Sequence, residues 1–562
     1  MKKRIIGMSA MGVVCLMTAV GCGQAGANGK AISTTSQSAS GPHVGGSISI
    51  SPQESGPWAD VFNPYSPNGN TSDISKVIYE PLVEWDSNTG MSKAWLAKSW
   101  TWSDGNKVLT VHLRPGVKWS NGKKFTSADV VFTYNMLKKY PALDSNGLWS
   151  FMKSISAKGP DTVQVVLKQP NSTFFYYFSG VPIVSTFQFQ GVNPLTFQDQ
   201  QPIGTGPYML QTFNSQQITL TRNPHYWQPG KPYLQTVNYP AETSNDSTIL
   251  GLESGQIQWA SIFSPSLETS YVKKDPTANH FNDGQAPAFD SLYVNLHSYP
   301  LNMPEVRQAI SVALDRSKLS KIGESGYASP VSSLDGIPDS LASQWGTTSL
   351  NKMFPATYNT SKAKNMLLKA GFKMSGSKMM TPQGKPFTIN MIVPAPFTDY
   401  VTLSNQIASM LGQIGITVNQ QSISSSQYAD DMAKGNFQMG VYWTPTGPNP
   451  FFVLNGLMNT QYGGPIGSTA LGSNYGRFAN DQVQKLAQQF EGTENASTQK
   501  TIIDEMATIY AEQLPVIPLL NSDTTDEYSS KTIGGWPTKQ NPYWDTNSYG
   551  GPVVVLTQLY QK

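Results

Sequence analysis

Two runs, IYEPLVEWD (78–86) and AWLAKSWTWSDGNKVLTVHLRPGVKWSNGKKFTSADVVFTY (94–134), carry the clearest structural pattern in this chain. From Val108 to Leu113 the apolar residues Leu109, Val111 and Leu113 alternate with Thr110 and His112, as in a half-buried strand. Ser103-Asp104-Gly105-Asn106 before it and Pro115-Gly116 after it are turn residues. Asn121-Gly122 reads as a hairpin turn joining Val117-Lys118-Trp119 to Phe125. Thr126 or Ser127 then caps a helix with Asp129 in its first turn and Val130, Val131 and Tyr134 on one face.

Outward from this stretch the pattern is mixed. Short alternating strands are expected at Val163–Leu167 and Ile218–Thr221, beside a helix from Pro304 to Leu319. Asn359 or Thr360 caps another helix, which Gly371 ends. Phe387 to Val393 alternates as a strand, followed by a helix over about Val401–Ile414 and a strand at Ile416–Val418. Strands and helices in this alternation imply an α/β body with a central sheet. At 562 residues the chain is too long for one core, so two or three lobes are expected.

Charged residues make up 13% of the chain, about half the usual share, and neutral polar residues replace them. That surface suits a protein working outside the cell, in acid. The formal charge of +3 comes from Lys2, Lys3 and Arg4. Removing them leaves 36 basic residues against 36 acidic ones, so the remaining chain has no field to attract nucleic acid. Residues 1–21 read as a signal peptide: a basic start, an apolar run too short to span a membrane, then Ala19-Val20-Gly21-Cys22, which looks like a lipobox. Cys22 would carry the lipid. The other cysteine, Cys15, lies in the removed segment, so the mature chain can form no internal disulfide. Residues 22–44 are Gly-, Ala- and Ser-rich and read as a flexible tether, and folding begins at Ser47-Ile48-Ser49-Ile50.

The order of elements in 78–134 resembles the signature of the family 5 extracellular solute-binding proteins. Later stretches match that family in sequence: Pro202-Ile203-Gly204-Thr205-Gly206-Pro207-Tyr208, Arg222-Asn223-Pro224-His225-Tyr226-Trp227, and Val306-Arg307-Gln308-Ala309-Ile310 with Asp315-Arg316. The resemblance covers nearly everything after residue 45. It implies an α/β fold of the periplasmic-binding-protein-like type II (cluster C), with two lobes, a hinge and three domains. Domain I would comprise 45–78, 202–290 and 520–562, domain II 79–201 and domain III 291–519. The crossings would fall near Tyr293-Val294-Asn295 and Val516-Ile517-Pro518. The partner implied is an ABC permease, and the cargo is a small oligomeric solute, by default an oligopeptide. The receptor is expected to be a monomer needing no cofactor.

No catalytic constellation stands out. His43, His112, His225, His280 and His297 are scattered, and there is neither an HExxH pair nor a GxSxG elbow. Gly116 to Lys124 reads as a hairpin and not a phosphate loop. Without a close His pair, nickel and haem receptors are disfavoured. A secreted hydrolase built on a hidden carboxylate pair, or a non-transport adhesin, is the rival of another class.

The ligand is expected at Phe437 to Phe452, a strand that ends at Tyr442-Trp443 and runs into a Pro- and Gly-broken loop. In peptide-binding relatives this loop carries an aspartate that anchors the peptide's ammonium. Here no charged residue occurs between Lys434 and Arg477, and Thr446 or a neighbour takes that place. Either another acid replaces it, with Glu80 one candidate beside its alternative role at a domain junction, or the ligand has no free amine. Oligosaccharides such as cello- or xylo-oligosaccharides are therefore the alternative cargo, with rings meeting sugar faces and Asn449 and Asn455 meeting hydroxyls. The candidate ligand residues are Trp443, Tyr442, Thr444, Thr446, Asn449, Phe451, Asn455, Trp58, Phe62 and Glu80. Trp95, Trp100, Trp102, Trp119 and Trp227 are assigned to packing.

Overall fold

The alternating run Val108–Leu113 is a strand of those same residues, with Leu109, Val111 and Leu113 buried and His112 exposed. The computed structural model describes residues 42–52, 56–66, 71–86, 89–263, 267–345, 348–548 and 552–562, so the segments expected to be a signal peptide and a tether, Cys22 included, lie almost wholly outside the described residues. The strand is flanked in a four-stranded antiparallel sheet by Ala97–Ser103 and Thr162–Leu167, and Met152–Ala157 completes it. The hairpin forms at Asn121-Gly122, where Gly122 has φ of +83° and donates to the Trp119 carbonyl at 2.8 Å. Thr126 and Asp129 cap the helix Ser127–Lys139 reciprocally: the Asp129 carboxylate accepts from the Thr126 amide at 3.0 Å.

A second sheet has ten strands. At one end lie Tyr208–Asn214, Gln217–Arg222, Thr236–Pro240, Ser47–Ser51 and Trp259–Ala260; at the other, Met439–Trp443, Thr388–Pro394 and Thr417–Ile423. Between them run two long antiparallel strands, Asn279–Val294 and Val516–Ser529. Near Tyr528 the second pairs with Trp259, and near Val294 the first pairs with Met439. The buried apolar side chains divide accordingly. One cluster draws on residues between Ile48 and Trp259 and between Ile533 and Leu559, whereas two others lie wholly between Phe289 and Leu520. These are two lobes, strung on two connecting strands.

The connecting strands stay paired through Tyr293 and Val516, where the sequence placed the crossings, and two of the expected helices change their bounds. The register of the strands breaks between Gln285 and Phe289 and between Asp290 and Ser291, opposite Pro518–Asp523. The expected helix Pro304–Leu319 is two helices, Pro304–Ala313 and Arg316–Gly323, because Leu314 is extended and the Asp315 side chain caps the second. The helix after Thr388–Pro394 begins earlier than expected, at Thr398.

The recurrent motifs have mechanical roles. Arg307 is buried and gives its guanidinium to the carbonyls of Leu301, Gln513 and Leu514. Arg316 likewise donates to Pro518 and Ser311. Both pin the base of the returning strand to the helices beside it. Gly204 and Gly206 lie against the helix Ser72–Ile78, where a Cβ would stand 1.8 Å from the Ile78 carbonyl oxygen at Gly204 and 2.2 Å from that of Val77 at Gly206. Backbone cannot yield there as a flexible side chain would. Gly204→Ala is expected to destabilise the first lobe by about 3 kcal/mol or more, read from the urea midpoint.

Candidate functional site

Where the lobes face each other the cleft widens into two chambers of ≈ 480 and ≈ 530 Å³. Lys76, Pro445, Thr446 and Ser473 border both, so the two are parts of one slot. The loop after Met439–Trp443 stands between them. It is locked at its root: the Thr444 amide donates to the Phe289 carbonyl, and the Phe289 amide donates to the Thr444 hydroxyl, each at 2.9 Å. At its far end Asn449 caps the helix Pro450–Met458 by accepting from the Phe451 amide at 3.0 Å.

The first chamber is aromatic. Tyr79, Trp85, Tyr176 and Tyr177 come from one lobe, and Phe452 and Tyr462 from the other. Phe452 lies 4.7 Å from Tyr176 and 5.2 Å from Tyr177, centroid to centroid. Beyond it the Ser172 amide donates to the Glu491 carbonyl at 2.7 Å and the Ser172 hydroxyl to the Phe490 carbonyl at 3.0 Å. These contacts join the lobes and would part if the slot opened.

The second chamber mixes rings with acids. Trp443 stacks on Tyr442 at 4.0 Å and lies 6.4 Å from both Phe397 and Tyr400. Asp290, Glu324, Asp399 and Asp523 also border it. Asp290 sits at the register break and pairs across the ladder with Trp443. Its Oδ1 accepts from the Tyr400 hydroxyl at 3.0 Å and the Ser522 hydroxyl at 3.1 Å. Burial nevertheless lifts its pKa to about 6. Burial, with Asp290 nearby, lifts Asp399 to about 7 and takes Glu324 well above the usual carboxyl range.

Of the residues expected at the ligand, Trp443, Thr444 and Thr446 border the slot. Tyr442 backs the Trp443 ring from behind. The others are placed in the scaffold. Asn449 is the helix cap, and Phe451 is fully buried, stacked on Phe490 at 4.1 Å. Asn455 is buried and accepts from the Asn459 amide group at 2.9 Å. Trp58 is buried and donates to the Tyr239 carbonyl at 3.0 Å, while Phe62 packs edge-on against Phe213. Glu80 has no exposed surface; Trp95 at 2.7 Å, Tyr226 at 3.0 Å and Trp227 at 3.2 Å all donate to its carboxylate. It ties the 78–134 signature to the Arg222–Trp227 motif, the junction role weighed above. The expected stretch Phe437 to Phe452 ended on Phe452, whereas sequence reasoning passed over Tyr176 and Tyr177, although the aromatic run Phe174-Phe175-Tyr176-Tyr177-Phe178 was a visible signal. The four acids gave none, being spread from residue 290 to 523. Among the described residues no group of three or more His, Cys, Asp or Glu is disposed to hold a metal ion.

Raised carboxyls fix the sign of a pH effect. Glu80, Asp399 and Glu491 are pushed to about 7 and Glu84 to about 8, each chiefly by burial. In the folded chain these groups keep protons that the unfolded chain sheds near pH 4. Their stabilising contribution is complete below that value and is lost as the pH climbs through their folded pKa values. The melting temperature should therefore be higher at about pH 5 than at about pH 8, by about 5 °C or more, in a calorimetric pH series.

The family described as bacterial extracellular solute-binding proteins, family 5 Middle, matches residues 92–464. The glutathione-binding protein GsiB of Escherichia coli K12 is 25% identical over 500 residues, spanning 85% of this chain and 90% of that protein. A periplasmic oligopeptide-binding protein of Thermotoga maritima, solved with mannohexaose bound, superposes with a TM-score of 0.79 at 22% identity, over 92% of this chain and 98% of that one. The oligopeptide-binding protein AppA of Bacillus subtilis, solved with a nonapeptide, gives 0.77 at 21% identity, over 93% and 100%. The shared architecture is the two-lobed type II fold. With its matched segment spanning well over half its length, the chain belongs to the family 5 bacterial extracellular solute-binding proteins.

Proposed function

We propose that this protein is the capture component of an ABC importer, that it takes oligopeptides into the slot between its lobes, and that it hands them to the permease unaltered. The observation that carries this reading is the slot itself: two joined chambers with walls from both lobes, bridged by contacts that exist only when the lobes meet. A ligand touching both walls stabilises the closed arrangement by its differential contacts. The named relatives that bind glutathione and a nonapeptide make a peptide the first choice of cargo. The domain division given by the sequence, a monomeric state and a lipid anchor on Cys22 belong to the same proposal.

An oligosaccharide is the second reading. Trp443, with Phe397 and Tyr400 beside it, offers a flat apolar wall to sugar C–H faces, and the Thermotoga maritima relative was solved with mannohexaose.

A thermal-shift panel of di- to pentapeptides, cello- and xylo-oligosaccharides and mannohexaose separates the two readings, and mass spectrometry of the mixture tests whether the cargo survives. Stabilisation by peptides, recovered intact, is the expected result; a cleaved product would make the protein a hydrolase instead. Trp443→Ala should weaken the best ligand by about 2 kcal/mol in calorimetric titration while leaving the fold cooperative. Cys22→Ser should move the protein from the detergent phase to the aqueous phase in Triton X-114 partition.

A further inference from the structure

The second chamber gathers more carboxyl groups than its own walls could balance with cations. Asp290 comes from one connecting strand and Asp523 from the other, Glu324 ends the helix Arg316–Gly323, and Asp399 lies in the first turn of Thr398–Gln413. Among the described residues that border the chamber the one cation is Lys76, and its Nζ is already 2.9 Å from Asp73. Glu324 is the telling group. It is 2% exposed and borders the cavity, yet its Oε1 has no hydrogen-bond partner among the described residues. The charges that act on it, Asp399, Asp290 and Asp523, are all acids. Buried carboxylates in folded chains are ordinarily paired or hydrogen-bonded, because ionising one without a counter-charge is costly.

We propose that this chamber receives a positively charged group of the solute, an ammonium or a guanidinium, between Glu324, Asp290 and Asp399 and against the Trp443 ring. The proposal rests on the solute-capture reading above and deepens it. Three separate elements thus supply the counter-charge that the segment 435–476 lacks. The cation donates to the unpartnered Glu324 oxygen, and the ring face adds its own attraction. The acids are not disposed as a metal site, which leaves an organic cation as the occupant. Because burial and mutual repulsion hold protons on Glu324 and Asp399 in the empty slot, an entering cation displaces them. Binding of a cation whose own charge does not titrate therefore releases protons and tightens as the pH rises; Asp290 and Asp523 face the same group and titrate with it, while the Tyr400 hydroxyl, raised by burial, keeps its proton.

The test titrates the whole secreted chain with trialanine, N-acetyl-trialanine, N-acetyl-Ala-Arg-Ala and mannohexaose at about pH 5 and pH 8. Trialanine and N-acetyl-Ala-Arg-Ala should bind about tenfold or more tighter than N-acetyl-trialanine, which has no cation; the guanidinium probe, whose charge does not titrate, should tighten at the higher pH with proton release between buffers of different ionisation heat. Glu324→Gln should erase that preference while the neutral probe still binds. Asp399→Asn, at a partly buried position in the first turn of its helix, serves if Glu324→Gln fails to fold. It should also raise the melting temperature of the empty protein at pH 8, which an acid with a merely structural role would not do. Equal affinity for charged and neutral probes, or affinity untouched by both substitutions, overturns the cation subsite and leaves the receptor standing. If no probe binds, the peptide and sugar readings fall, and the subsite with them.

Discussion

Everything in the described chain hangs on the antiparallel pairing of Asn279–Val294 with Val516–Ser529. Two strands cross from one lobe to the other, so each lobe keeps its own core while their separation and angle depend on a single ladder. A ladder resists sliding strongly and bends where its register is broken. The breaks here lie at Gln285–Phe289 and Asp290–Ser291, at the floor of the slot. The same residues thus lie in the connection between the lobes and place Asp290 at the second chamber.

Around that floor the molecule separates rigid support from the surfaces that meet cargo. Glu80, Arg307 and Arg316 look like ligand groups in a sequence, being charged and embedded in recurrent motifs. Each is instead consumed by neighbours: Glu80 by Trp95, Tyr226 and Trp227, and the arginines by backbone carbonyls. A buried charge with a full set of partners is scaffolding, since nothing remains for a ligand to satisfy. Glu324 shows the opposite condition, a buried oxygen with nothing to accept from among the described residues. The contrast between these acids is one of partners, not burial.

The raised carboxyls also tie burial to stability. A chain with many buried acids is one whose folded form holds protons that its unfolded form would release. Such a chain loses stability as the pH rises through the folded pKa values of those acids.

The sequence alone established the local elements, because these depend on near neighbours: the strand Val108–Leu113, the Asn121-Gly122 turn, the Thr126–Asp129 cap and the loop after Trp443 follow from alternation, turn chemistry and capping. It also ordered them into a recognisable α/β family and pointed to Trp443, Thr444 and Thr446. Which aromatic residues face cargo was not legible, since Trp58, Phe62 and Phe451 carry the same apolar signal whether they fill a core or line a slot. Where the ladder's register breaks was not legible, because a break depends on the partner strand, more than two hundred residues away. The acid chamber could be decided only by tertiary structure: Asp290, Glu324, Asp399 and Asp523 share no motif, and their common property, enclosure without counter-charge, arises when four distant elements are brought to one wall.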